Sequence, residues 1–93
     1  MSVNIQFKDI RNMADLYRQF AEQAEISVDF GNNLDALYDE LSANLQGPIQ
    51  ITWHDFNAAQ ALLGEASSKA LLELFTDVAT ERADFQFTIS KGI

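Results

Sequence analysis

Pro48-Ile49-Gln50-Ile51-Thr52-Trp53 is the stretch whose pattern decides the fold. Ile49, Ile51 and Trp53 alternate with Gln50 and Thr52, and a period of two built from β-branched and aromatic residues reads as a strand. Pro48 stands at its start, where a missing N–H costs no ladder bond. Two more segments keep the same rhythm. Val3, Ile5 and Phe7 alternate with Asn4 and Gln6, and Phe85, Phe87 and Ile89 alternate with Gln86 and Thr88.

Helical periods fill the gaps. Met13, Leu16, Tyr17, Phe20 and Ala24 fall three or four residues apart, with Asn12 as the expected N-cap. Leu34, Leu37, Tyr38, Leu41 and Leu45 repeat that spacing, opened by Gly31-Asn32-Asn33 and closed near Gly47. Phe56, Ala59, Gln60 and Leu63 predict a short third helix that stops at Gly64. Leu71, Leu74, Phe75 and Val78 predict a fourth, from about Ser67 to Arg82.

The order is therefore β-α-α-β-α-α-β, and strands joined by helical crossovers run parallel. Fully buried parallel strands read as continuous apolar runs, whereas these alternate. One sheet face must then carry the apolar residues and the other must show Asn, Gln and Thr to water. All four helices cover the apolar face. Right-handed crossovers on one face step the chain the same way each time, which gives strand order 1-2-3. The expected fold is α/β, a two-layer, three-stranded parallel sheet (order 1-2-3) with four helices on one face. Both edges of such a sheet are expected to be open.

With 93 residues the chain is read as one domain, residues 1–93. The absence of cysteine removes disulfides, thiolate metal sites and thiol nucleophiles, and it fits a cytoplasmic location. Met1 to Ile10 includes Asn4, Gln6, Lys8 and Asp9 without a long apolar run, so neither a secretory leader nor a membrane anchor is expected there. Six Lys and Arg against 14 Asp and Glu give a net charge of −8. Such a chain repels phosphate backbones and anionic lipid, so neither nucleic acid nor membrane is an expected partner. Between Arg18 and Lys69 there are acids and no Lys or Arg at all. Solvated surfaces usually mix both signs, and a single-sign half suits a basic partner.

The second helix breaks a local rule. Asp35 and Asp39 stand at i and i+4, where like charges destabilise a helix by roughly 0.2–0.5 kcal/mol. The neighbouring Gly31, Asn32, Ser42 and Ala43 offer no countercharge. Asp35 suits the first turn of a helix, but Asp39 lies a full turn further in. Tyr38 adds an amphipathic aromatic and Asp29 an acid in the preceding loop. A local cost without local compensation is where function is expected, although acidic helix faces are also common as simple solvated surface. Glu73, Asp77 and Glu81 repeat the spacing on the fourth helix, where Lys69 has the spacing to pair with Glu73. Whether the two acidic stripes adjoin does not follow from periodicity.

Gly31-Asn32-Asn33-Leu34-Asp35-Ala36-Leu37-Tyr38-Asp39-Glu40-Leu41, followed by Pro48 and then Trp53-His54-Asp55-Phe56, resembles the barstar family, the inhibitors of barnase-type microbial ribonucleases. A weaker likeness continues through Phe75 to Asp77 and Ala83-Asp84 into the last strand. The resemblance implies a three-stranded parallel sheet with helices on one face, in agreement with the pattern above. It also implies a function. The second helix and its preceding loop plug a guanyl-preferring ribonuclease, and carboxylates stand where RNA phosphates would bind. Asp39 matches the central family hot spot and Asp35 the flanking acid, while Asp77 falls where the best-known member has a Glu at the rim. The implied partner-binding set is completed by Asp29, Phe30, Gly31, Asn33, Tyr38, Ser42 and Asn44. Three of these depart from the family pattern. Asp29 stands where an aromatic is expected, and Tyr38 and Asn44 stand where the family has Trp.

The same residues admit other readings. An acid–base pair of Asp35 and Asp39 would need a cleft and separated pKa values, which two acids on one helix face do not supply. His54, the only histidine, reads as a surface or helix-start residue, and no nucleophile, phosphate-loop or zinc pattern exists. No enzyme, cofactor or metal site is expected. Trp53, Phe56, Phe75, Phe85 and Phe87 fall at core periods and read as core. The alternative that stays open is an immunity protein or acidic binding module for a basic toxin or partner other than a barnase-type ribonuclease. The free chain is expected to be a monomer.

Overall fold

A computed structural model describes residues 2–26, 31 and 33–90. Along the chain they form β1 (Val3–Phe7), α1 (Met13–Ala24), α2 (Leu34–Asp39) continued by a π-helical turn (Glu40–Asn44), β2 (Ile49–Trp53), α3 (Phe56–Leu63), α4 (Glu65–Glu81) and β3 (Phe85–Ile89). All strand pairing is parallel and the order is β1-β2-β3. The expected architecture and strand order are observed.

The register explains why period two is so clean. Val3, Ile49 and Phe85 align, as do Ile5, Ile51 and Phe87, and Phe7, Trp53 and Ile89. Each apolar row lies under the helices. Ile5, Phe7, Ile51 and Trp53 are fully buried there with Leu16 and Phe20 of α1, Leu37 of α2, and Leu71, Phe75 and Val78 of α4. The polar rows Asn4–Gln50–Gln86 and Gln6–Thr52–Thr88 occupy the opposite face. His54, half-buried, bonds Gln6 at that face.

Trp53 is the centre of the core. Phe7, Phe56 and Phe75 surround its ring at centroid distances of 5.7, 5.0 and 6.4 Å, each edge-on. Such pairings add roughly 0.5–1.5 kcal/mol each beyond area burial. Burying these rings is the main driving force in a domain this small.

The helix limits follow from local chemistry. Asn12 caps α1, its side chain accepting from Asp15 N at 2.8 Å. Asp15 in turn accepts from Arg11 N and lies between the Arg11 and Arg18 guanidiniums, at 3.3 and 3.4 Å. Gly64 separates α3 from α4 with φ of +91°, a conformation that favours glycine. The fourth helix starts at Glu65, two residues before the position its apolar period predicts.

One edge of the sheet is not open. Gln23 accepts from Gln6 N at 2.7 Å and donates to Gln6 O at 2.9 Å. One turn earlier, Gln19 accepts from Lys8 N at 3.1 Å and donates to Lys8 O at 2.7 Å. The two side-chain amides give β1 the bonds a neighbouring strand would give. This closes the edge that the alternation pattern alone leaves open.

Candidate functional site: an acidic groove between two helices

The site begins with the entry to α2. Asn33 adopts extended backbone and its side-chain oxygen accepts from Ala36 N at 2.7 Å. Its amide donates back to Gly31 O at 3.1 Å. Gly31 has φ of +123°, and a Cβ there would stand 2.8 Å from the Ala36 Cβ, so only glycine fits the turn. Gly31 and Asn33, both expected in the binding set, thus build the cap that aims α2.

From that cap, Leu37 and Leu41 point into the core and are fully buried. Asp35 and Asp39 are exposed, Tyr38 and Ser42 are half-buried, and Asn44 is exposed and donates to Glu40 Oε1 at 3.2 Å. Asp29 and Phe30 lie outside the described residues.

The structure answers the question periodicity left open, because α2 packs against α4. Between them lies an open groove of about 240 Å³, lined by Leu34, Asp35, Tyr38, Ala70, Glu73, Leu74 and Asp77. Its floor is apolar and its rim acidic. A larger cleft of about 440 Å³ lies at the N-terminal ends of the strands. The one acid in its lining, Asp84, is already bonded to Arg82.

Tyr38 ties the two acidic stripes together. Its hydroxyl proton is held so firmly that its pKa is pushed up to about 12. The first cause is a hydrogen bond to the Glu81 carboxylate, followed by desolvation and by the negative charges of Glu81, Asp77 and Asp39. Glu81 closes the last turn of α4, where a negative charge stands against the helix dipole, while Asp39 sits midway along the continuous helical run of α2 and its π turn. The repeated local cost singled out in α2 therefore recurs across the groove.

The countercharges lie elsewhere. Among the described residues, salt bridges join Arg11 and Arg18 to Asp15, Arg18 to Glu22, and Arg82 to Asp84. None reaches Asp35, Asp39, Glu73, Asp77 or Glu81. Lys69 does not pair with Glu73 as their spacing predicts. His54 sits on the polar sheet face and takes no part in the groove. Among the described residues no group of acids and histidines has the arrangement of a metal site. Among the described residues no helix is long and apolar enough to cross a membrane.

Sequence reasoning missed two members of this site. Glu81 was visible only as part of a helical stripe, with nothing to signal its bond to Tyr38. Arg82, which holds the far end of α2 as described below, carried no local signal at all.

Three parallel strands under four helices, with an acidic face on the second that has no ion pair among the described residues, define a two-layer α/β domain. The family model Barstar, described as "Barstar (barnase inhibitor)", matches residues 1–91, and the chain belongs to that family. The resemblance carried by Gly31 to Phe56 thus extends over almost the whole chain.

Proposed function

We propose that this protein inhibits a barnase-type ribonuclease by seating the α2–α4 acidic groove in the enzyme's cationic catalytic cleft. The observation that carries the reading is the set of five carboxylates, Asp35, Asp39, Glu73, Asp77 and Glu81, gathered on two adjacent helices without a cation from the described residues. Membership of a family of barnase inhibitors supports the same reading. Carboxylates in that cleft compete with RNA phosphates for the enzyme's Arg, Lys and His. The apolar floor adds water-excluding contact around them. In this reading Asp39 is the anchor, Asp35 and Asp77 flank it, and Tyr38 supplies the aromatic contact. Asp29, Phe30, Ser42 and Asn44 complete the contact surface.

The changes at Asp29, Tyr38 and Asn44 lie in that surface and leave the core untouched. We therefore expect barnase to be bound, though less tightly than the cognate enzyme, and the protein to serve as the cytoplasmic guard against that nuclease. Immunity against a basic toxin is the same mechanism with a different target.

The test is stoichiometric inhibition of guanyl-preferring RNA cleavage, run with the wild-type chain and Asp39→Ala. Asp39→Ala should weaken binding by about 2 kcal/mol or more, the hot-spot range to which the family's own inhibitor–ribonuclease pair contributed. Its melting temperature should stay equal or rise slightly, because removing Asp39 relieves repulsion. Unchanged inhibition by Asp39→Ala would remove it as the anchor. A drop in melting temperature would reveal a structural partner.

A further inference from the structure

Arg82 follows the last residue of α4, and its guanidinium is engaged on all three nitrogens. Nε donates to Asp84 Oδ1 at 2.9 Å and Nη2 to Asp84 Oδ2 at 3.0 Å. Nη1 donates to Leu41 O at 2.7 Å and to Leu45 O at 2.8 Å, at the end of α2. The side chain is only 15% exposed. The chain at Gly47 passes so close that a Cβ would stand 1.8 Å from Asp84 Oδ2 and 2.8 Å from Arg82 Nη2. Glycine is what leaves room for the fork.

These bonds coincide with the one irregularity in α2. In a regular α-helix, Leu45 N would donate to Leu41 O. Here Leu45 N donates one residue further back, to Glu40 O at 2.9 Å, and the turn is π-helical. The Leu41 carbonyl goes to the guanidinium instead. A cation at a helix C-terminus is also favoured by the dipole. Relative to a regular helix, a π turn rotates the residues it carries by roughly a quarter turn by its end. Ser42 and Asn44 lie within that turn, directly after Asp39.

We propose that Arg82 is a positioning residue for the inhibitory face. By taking the Leu41 carbonyl it holds the π turn open and so sets where Ser42 and Asn44 stand relative to Asp39. The π-turn half stands on the bonds above, while the link to binding rests on the inhibitory reading of the groove. The arrangement also directs Arg82, the cation bonded to the end of α2, into backbone and Asp84. Asp39 is left without an ion pair among the described residues.

The experiment uses the full chain with Arg82→Ala and Arg82→Lys. Hydrogen-bond scalar couplings in the free protein identify the acceptor of the Leu45 N–H. Wild type should show Glu40 O, and Arg82→Ala should lose that coupling, with or without a new one to Leu41 O. Amides of residues 41–45 should exchange about tenfold faster or more in Arg82→Ala, while those of α1 hold their rates. Arg82→Lys, which keeps the charge but not the fork, should restore part of the protection. With barnase as the probe, Arg82→Ala should dissociate about tenfold faster. Its association should be as fast as wild type or faster, because the net charge moves from −8 to −9. The proposal is overturned if Leu45 N–H keeps Glu40 O as its acceptor in Arg82→Ala. It is equally overturned if exchange speeds up in α1 as much as in the π turn, or if dissociation is unchanged after the turn is lost. A wild-type chain that leaves barnase active would sink the inhibitory reading and the positioning role with it. The Leu45 acceptor would then decide the π-turn half alone.

Discussion

At the scale of single residues, Tyr38 has the clearest consequence. A phenol whose pKa rises from 10.0 to about 12 on folding holds its proton longer folded than unfolded. The folded state then binds more protons between those values, and stability falls as pH rises through that window. The contribution is complete below pH 10 and gone above about 12. Tyr17, the other tyrosine, is also raised, by burial, so a Tyr17→Phe background isolates the signal. In that background we expect phenolate absorbance to titrate near 12, and Glu81→Gln to bring the midpoint down towards 10. An unmoved midpoint would show that Glu81 is not the partner. Asp39 shows how far a sequence can point. Its spacing from Asp35 and the lack of nearby cations were plain in the chain, and the structure places it exposed and without an ion pair among the described residues. Glu81 was not legible in the same way, because its partner Tyr38 lies on another helix.

At the scale of elements, the starts of α1 and α2 were legible, the start of α4 was read two residues late, and the end of α2 was not legible. Asn12 and Asn33 announce α1 and α2 because a cap acts over three residues, within reach of local pattern. The π turn depends on Arg82, about forty positions later, and on Gly47 leaving space beside it. No periodicity in the segment Leu34–Leu45 encodes that. The same holds for Gln19 and Gln23, which look like ordinary polar residues of an amphipathic helix. Their four bonds to Gln6 and Lys8 close β1 against further pairing. Replacing both by Ala should cost about 1 kcal/mol, since exposed bonds contribute modestly and Ala returns some helix propensity. We expect the double variant to show a lower urea midpoint and concentration-dependent association in sedimentation, as a bared edge invites pairing. If midpoint and monomer fraction both match wild type, water replaces the glutamines without loss.

At the scale of the whole molecule, strand order and layering followed from alternation and crossover handedness alone. The adjacency of α2 and α4 did not, because period tells which face of a helix is buried and not which helix lies beside it. That adjacency turns two acidic stripes into one field on a chain of net charge −8. Charged surfaces steer encounter more than they hold a complex together, and salt screens them within about 10 Å at 0.1 M. Stopped-flow association with a basic ribonuclease should therefore slow steeply with added salt while dissociation changes little. An association rate indifferent to salt would leave the collected acids without a kinetic role.

Trp53 is fully buried among three phenylalanine rings and is the only tryptophan of the chain. The groove, with Tyr38 as its aromatic, contains no indole. Intrinsic emission excited in the indole band thus watches the interior alone. It will brighten or redden when the domain melts and stay silent when a guest without tryptophan settles on the acidic rim, so one cuvette can separate loss of fold from loss of grip.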